Sequence, residues 1–435
     1  MKPIGLLVIG LTLSGLGAKA AEPWRFEDTI RFALTNSPDA RVALQRIAAA
    51  EAGLRQANAM AWPKLQFQSS YTRTDNPMMV FGSILNQRAF GQPPIGPIDF
   101  NNVPDIDNLN IRGVVTMPIY AGGQITAARE AARAYAWAAR DAADAVRNTL
   151  AFEVARAFHT VLKTREFVRA AEAAVAAFEK NLEIASNRFN AGTLLKADVL
   201  DVEVRLAQAR EDLVRARNAR EIALRALCTL LGIDDPNFDV ADTVPAVPVP
   251  ESGDFSGRPE LAASSQQIRA AEAELRRARG GYMPTVGLFG SMDYDRGWRS
   301  EGDGKSYTAG VMVQLNVWDG QLTRGKVQQA QAELEAAREN DRKLRLMLAL
   351  EAEQARLNLE EARQRLRVTE KAVALAAESA ALTRARFEQG LALAVQLIDA
   401  ETALTGARVR HAEAQADYRI AVAALRKALG LPQLP

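Results

Sequence analysis

Two periods of hydrophobic and polar residues alternate along this chain. Val154, Val161, Val168, Val175, Leu182 and Phe189 recur every seventh residue, with Ala157, Thr164, Ala171, Phe178 and Ala185 between them. The spacing returns in Ala352, Leu359, Leu366, Val373, Ala380 and Phe387, interleaved with Ala355, Ala362, Thr369, Ala376 and Thr383. Apolar steps of three and four sustained this long predict a coiled-coil seam, and the small residues beside it let a neighbouring helix approach closely. One long helix is expected over about 124–190 and another over about 321–388. At 1.5 Å per residue each is on the order of 100 Å long. Return helices are expected over about 194–231 and 392–430, reversed at Gly192 and Gly390, because glycine supports the left-handed turn that ends many helices.

A period of two takes over in four short stretches. Leu65, Phe67 and Tyr71 alternate with Gln66, Gln68, Ser70 and Thr72; Leu109, Ile111, Val115 and Met117 alternate with Asn108, Asn110, Arg112 and Thr116. Val286, Leu288, Met292 and Tyr294 alternate with Thr285, Gly287, Ser291 and Asp293; Tyr307, Ala309, Val311 and Val313 alternate with Ser306, Thr308, Gly310 and Gln314. Each stretch is about ten residues long with one apolar and one polar face, the length and period of an outer-membrane strand. The hairpins are expected over about 64–120 and 285–318. Four strands cannot close a barrel, and an open edge in hydrocarbon leaves backbone groups unpaired. Closure must therefore come from other copies, as twelve strands from three chains or eight from two.

The chain is written twice. Arg188-Phe189-Asn190-Ala191-Gly192 returns as Arg386-Phe387-Glu388-Gln389-Gly390, and the 198-residue offset holds through Asp201/Asp399, Glu203/Glu401, Leu227/Leu425 and Gly232/Gly430. Upstream, Pro38 and Pro63 match Pro259 and Pro284 at an offset of 221 residues. The first copy (21–232) thus carries surplus chain, visible as an irregular segment from Asp75 to Asp107, against the second copy (259–435). A Pro-rich and acidic linker over 233–258 joins them as a surface crossover.

Residues 1–20 read as a secretory signal peptide: Lys2, an apolar run from Ile4 to Gly17, then Ala18-Lys19-Ala20. That run is too short to span a bilayer. Removing Lys2 and Lys19 from 54 basic residues leaves 52 against 52 acidic ones, so nothing in the charge points to nucleic acid. Cys228 is the only cysteine, which excludes an intrachain disulfide and a thiolate metal cluster, and its Leu-rich setting predicts a small helical core residue.

In order and duplication, these marks resemble the TolC-type outer-membrane efflux family over the whole mature chain. The marks are Asn36-Ser37-Pro38, Trp62-Pro63-Lys64-Leu65, Met283-Pro284-Thr285-Val286, Met117-Pro118-Ile119-Tyr120-Ala121-Gly122-Gly123, Val317-Trp318-Asp319-Gly320 and the two Arg-Phe-x-x-Gly tips with their Asp-x-Glu. The resemblance implies a mainly α chain with membrane β: a homotrimer with a twelve-stranded barrel in outer-membrane lipid, continued by an α-helical tunnel in the periplasm. It implies docking to a periplasmic adaptor and an inner-membrane pump, with no cofactor. It also implies an aperture at the helix tips, at the positions of Gln396 and Asp399, with Asp198 and Asp201 matching in the first copy. Carboxylates converging on an axis repel one another and favour cations, so Gln396 in place of an acid should weaken cation blockade. The Tyr and Arg that hold the closed tip in some relatives are here Phe387 and Ala392. Arg188, Gly192, Leu194, Leu195, Arg386, Gly390 and Leu391 are expected at the adaptor contact. The C-terminal tail of some members is expected to be missing after Pro435.

Other chemistry is sparse. His159 and His411 lie on opposite copies without a second ligand at metal spacing and are expected at the surface or in a groove. Asp293, Asp295 and Asp303 lack the calcium-loop pattern and are expected at an exposed hairpin tip. Met78, Met79, Val80, Phe81, Ile84 and Leu85 make the first loop too apolar for plain solvent, and it is expected to fold over the barrel mouth or against a neighbouring subunit. No phosphate-binding glycine loop, nucleophile elbow or His-Glu-x-x-His occurs, so no enzyme is expected. A periplasmic coiled-coil adaptor or scaffold would share the heptads but not the paired amphipathic strands.

Overall fold

The computed structural model describes residues 23–97, 99, 102–235, 237–245, 247–250 and 253–434. The leader expected over residues 1–20 lies outside them. In the first half, α1 (Phe26–Asn36) and α2 (Pro38–Ala59) lead to β1 (Lys64–Thr74), α3 (Pro77–Asn86) and β2 (Ile106–Ala121), then α4 (Gln124–Asn190) and α5 (Lys196–Leu231). In the second half, α6 (Pro259–Arg279) leads to β3 (Thr285–Arg296), β4 (Asp303–Gln314), α7 (Leu322–Glu388) and α8 (Ala394–Ala428). The surplus of the first copy is therefore not all irregular: α3 occupies part of it. Asn76 caps this helix by accepting from the amides of Met78 (3.1 Å) and Met79 (3.3 Å), and Pro77 fits the first turn, where no amide donor is needed.

Two compact units form, and neither coincides with a sequence copy. One gathers Met1–Ala43, Asp144–Arg258 and Met347–Pro435; the other gathers Leu44–Ala143 and Pro259–Leu346.

In the first unit, the heptad positions build the core. Phe26, Ile30 and Ala33 of α1 pack with Leu150, Val154, Phe158 and Val161 of α4 and with Leu224, Leu227, Cys228 and Leu231 of α5. Each large apolar side chain removed from water here contributes roughly 1.5–3 kcal/mol. Ala352, Ala355 and Leu359 of α7 pack likewise against Val422 and Leu425 of α8. A second stripe on α7, Leu350, Leu357, Val368, Leu375 and Leu382, stays exposed, as do Leu200, Val204, Val214 and Ile222 on α5. The inter-repeat crossover is held by charge: Arg165 reaches Asp239 (2.6 Å), Asp242 and the Val240 carbonyl (2.8 Å), and Arg169 joins Asp242. Those guanidinium bonds, Arg165 first, hold the Asp242 carboxyl below the usual carboxylate range.

His159 corrects the expectation of a histidine at the surface or in a groove. It is 4 % exposed, stacks on Phe26 at 5.4 Å between ring centroids, and its Nδ1 has no hydrogen-bond partner among the described residues. Burial, reinforced by the Arg419 charge, pushes it down to about 4, so it is neutral at physiological pH.

The second unit holds one antiparallel sheet in the order β1-β2-β3-β4. The two hairpins join through β2 and β3, where Asn110 pairs with Asp295 and Arg112 with Asp293. The register puts Gln68, Ser70 and Thr72 on the same face as Arg112, Asn110 and Asn108, Asp293 and Asp295, and Gly304 and Ser306. The opposite face carries Phe67, Leu65, Tyr71, Met292 and Tyr307, all exposed. A bulge between Pro118 and Tyr120 absorbs the proline of the Met-Pro turn, since proline cannot donate to the ladder. Asp295 is not at a hairpin tip: it is 2 % exposed and accepts from the Asn108 amide at 2.7 Å and the Asn110 amide at 3.0 Å. At the other end of β4, Asp319 of the Trp-Asp-Gly turn accepts from the Thr323 amide (2.9 Å) and hydroxyl (2.6 Å), satisfying the start of α7.

Candidate functional site

The tips of α4–α5 and α7–α8 lie in the first unit and are built alike. The Gly192 amide donates to the Phe189 carbonyl (2.9 Å) and the Thr193 amide to the Arg188 carbonyl (2.9 Å); Gly390 to Phe387 (3.0 Å) and Leu391 to Arg386 (2.7 Å) repeat the pair. This is the two-bond Schellman closure of a helix C-terminus, with glycine in the left-handed region at φ 72° and 79°. A β-carbon costs roughly 1–2 kcal/mol in that conformation, which is why both Arg-Phe-x-x-Gly motifs end as they do.

The return helices start alike too. The Leu195 amide donates to Asp198 Oδ2 (3.3 Å), and the Leu393 amide to Gln396 Oε1 (3.2 Å). Both side chains thus reach back to satisfy an orphan amide at the head of their own helix. Gln396 keeps this contact because an amide oxygen accepts as a carboxylate oxygen does. Asp201 and Asp399, three residues on, are exposed.

The structure brings Arg188, Gly192, Leu194, Leu195, Asp198, Arg386, Gly390, Leu391 and Gln396 around one open cavity. Asp201 and Asp399 do not line it. Its two rims meet at Arg188, whose Nη1 donates to the Phe387 carbonyl (2.9 Å) and whose Nη2 donates to the Thr193 carbonyl (3.3 Å). The copies are unequal here: Phe387 is fully buried under that guanidinium, whereas its counterpart Phe189 is exposed, with Lys196 Nζ 5.5 Å from its ring centroid. Leu195, Leu391, Leu393 and Val395 leave the rim apolar and open to solvent.

Reading the sequence missed an ion pair just above this rim. Arg384 binds Glu401, with Nε 3.0 Å from Oε1, and Glu401 is 3 % exposed. The repeat held the clue: Ser186 stands opposite Arg384, so only the second copy places a cation where the shared Glu203/Glu401 position can turn inward. Among the described residues no cluster of His, Cys, Asp and Glu could hold a metal ion.

Paired amphipathic hairpins in one sheet, with heptad helices that end in glycine-closed tips, are the elements of a channel-forming class of membrane protein. Among the described residues no helix is long and apolar enough to cross a membrane. The chain belongs to the outer membrane efflux protein family, whose model matches residues 29–233 and 255–431. An outer-membrane location and a role as an efflux channel follow from that membership.

Protein CyaE of Bordetella pertussis is 27% identical over 326 residues, 72% of this chain and 68% of that protein. Cobalt-zinc-cadmium resistance protein CzcC of Cupriavidus metallidurans is 27% identical over 213 residues, 47% of this chain; the match spans only half of CzcC, 50%. The CmeC outer membrane channel of Campylobacter jejuni shares the fold, with a TM-score of 0.82 at 16% identity over 94% of this chain and 87% of that one.

Proposed function

We propose that three copies of this chain close a twelve-stranded barrel in the outer membrane, continued by an α-helical tunnel in the periplasm. The tunnel passively conducts compounds handed over by an inner-membrane pump through a periplasmic adaptor. The observation that carries this is the open sheet: β1 and β4 are both edges, and in hydrocarbon neither is tolerable unpaired. The strands alternate in direction, so β4 of one copy meets β1 of the next as another antiparallel pair. A head-to-tail contact of this kind closes into a ring. The exposed stripes on α5 and α7 favour the same assembly, because long apolar heptad faces are stable only when covered.

Within this channel Asp399 and Asp201 line the aperture, while Asp198 and Gln396 fix the helix heads that present them. The apolar rim at Leu195 and Leu391, with Arg188, Arg386, Gly192 and Gly390, is the adaptor's footing. No step of chemistry is needed in the chain, and the transport energy comes from the pump. The nature of the cargo is set by the pump as well, since a tunnel lined by dispersed polar groups selects weakly.

Mass measurement of the detergent-extracted protein tests the assembly. A mass of three chains, with ion current in planar bilayers, is the expected result. A water-soluble single polypeptide without current overturns it.

A further inference from the structure

The helix α3 forms within the apolar first loop, and its contacts show which face of the sheet it covers. It packs on the polar face of the sheet. Val80 and Ile84, both fully buried, share a small core with Ala89 and Ile106, and Ile106 lies on the same face as Asn108 and Asn110. Gln87, fully buried at the end of the helix, donates to the Asp107 carbonyl (2.7 Å) and to Asn108 Oδ1 (2.9 Å), and accepts from the Ser300 hydroxyl. The strand opposite makes room: a β-carbon on Gly304 would collide with the Asn86 carbonyl, and one on Gly302 with that of Gln87.

A polar face cannot look into lipid, and in a closed barrel it lines the lumen. The helix sits where β1 leads to β2 and β3 to β4, the sheet end away from α2, α4, α6 and α7. Because the helical part is periplasmic, this end faces the cell exterior. Helical geometry puts Met78, Gly82 and Leu85 on the side opposite Val80 and Ile84. Met78 is 81% exposed and Leu85 46%, and among the described residues nothing lies within 4 Å of where a side chain on Gly82 would begin.

We propose that α3 of each protomer lies inside the barrel mouth, where Met78, Gly82 and Leu85 of three copies form an apolar constriction that limits passage. This rests on the three-fold barrel proposed above. The occupant of the exposed face is the same helix of the other two copies, since a helix fixed to the lumen wall leaves its free side toward the axis. An apolar ring of this kind resists passage of ions by shedding water, not by charge. The ring stays in place because Gln87 ties the helix to both hairpins.

The test uses the full chain with Cys228→Ala, so that introduced thiols are the only ones. Met78→Cys should be linked into dimers and trimers by a short bismaleimide, whereas Met292→Cys, on the lipid face, should remain monomeric on denaturing gels. Met78→Asp with Leu85→Asp should raise single-channel conductance at least two-fold by wetting the ring. An intact trimer in which Met78→Cys does not cross-link overturns the placement of α3. Cross-linking with unchanged conductance of the double aspartate variant overturns the constriction. Failure of the parent chain to form a trimer overturns the assembly on which both depend.

Discussion

The Arg188 guanidinium lies 4.9 Å from the centroid of the Phe387 ring and donates to the carbonyl of the same residue, so one side chain of the first repeat clasps the tip of the second. A charged hydrogen bond and a cation–π contact each contribute roughly 1–3 kcal/mol when partly shielded from water. Arg188→Ala should loosen the paired tips and raise the resting conductance in planar bilayers. Arg188→Lys, which keeps the charge but not the planar fork, should give an intermediate value. Resting currents equal to those of the parent would show that the clasp does not hold the aperture.

Glu401 is buried against Arg384. Arg384→Ala leaves a buried carboxylate without its counter-charge, and the cost of breaking such a pair is roughly 3–5 kcal/mol. The unfolding temperature of the helical part should fall clearly, followed by circular dichroism. Arg384→Leu combined with Glu401→Leu should recover most of it, because an apolar pair needs no desolvated charge. Glu203→Leu in the first copy, where the carboxylate is exposed, should change stability little.

Stability should depend on His159 below neutrality. Its folded value is depressed to about 4 from 6.5, so the unfolded chain binds the proton first as pH falls. The stabilisation is complete above about pH 6.5, declines between 6.5 and 4, and is gone below; the full change is about 3 kcal/mol. His159→Leu should flatten this part of the profile of unfolding midpoint against pH. A parent profile that is level between pH 7 and 4.5 would contradict the neutral, buried imidazole.

Divalent cations should block the channel weakly, with Asp399 as the chief acceptor. Asp399→Asn should lower the apparent affinity for magnesium added from the periplasmic side in bilayer recordings, and Gln396→Glu should raise it. The Gln396→Glu chain should fold as before, since the new carboxylate can accept from the Leu393 amide as the present amide does. If Gln396→Glu leaves the block unchanged, position 396 serves only as a helix cap.

The two-fold repeat, the long helices, the four strands and the glycine turns were all legible in the chain, because each rests on local periodicity or on one backbone conformation. Val154, Val161, Leu359 and Phe387 belong to the seam that the spacing predicts, and all four are buried. Leu350 and Leu357, and again Val368, Leu375 and Leu382, recur at seven residues yet are exposed; spacing identifies an apolar face but not the neighbour that covers it. His159 misled because a lone histidine on a helix carries no sign of burial, which here depends on Phe26 more than a hundred residues away.

What the sequence by itself determined is therefore the kind and order of the elements, since hydrogen bonding within a helix and alternation along a strand need only near neighbours. Tertiary structure alone decided that α3 sits on the polar face of the sheet, that Arg188 reaches Phe387, and that Glu401 turns inward while Glu203 does not. Those outcomes join residues such as Gln87 and Ser300, 213 positions apart in the chain. They depend on the shape and free space of the surfaces that meet, which no run of neighbouring residues encodes.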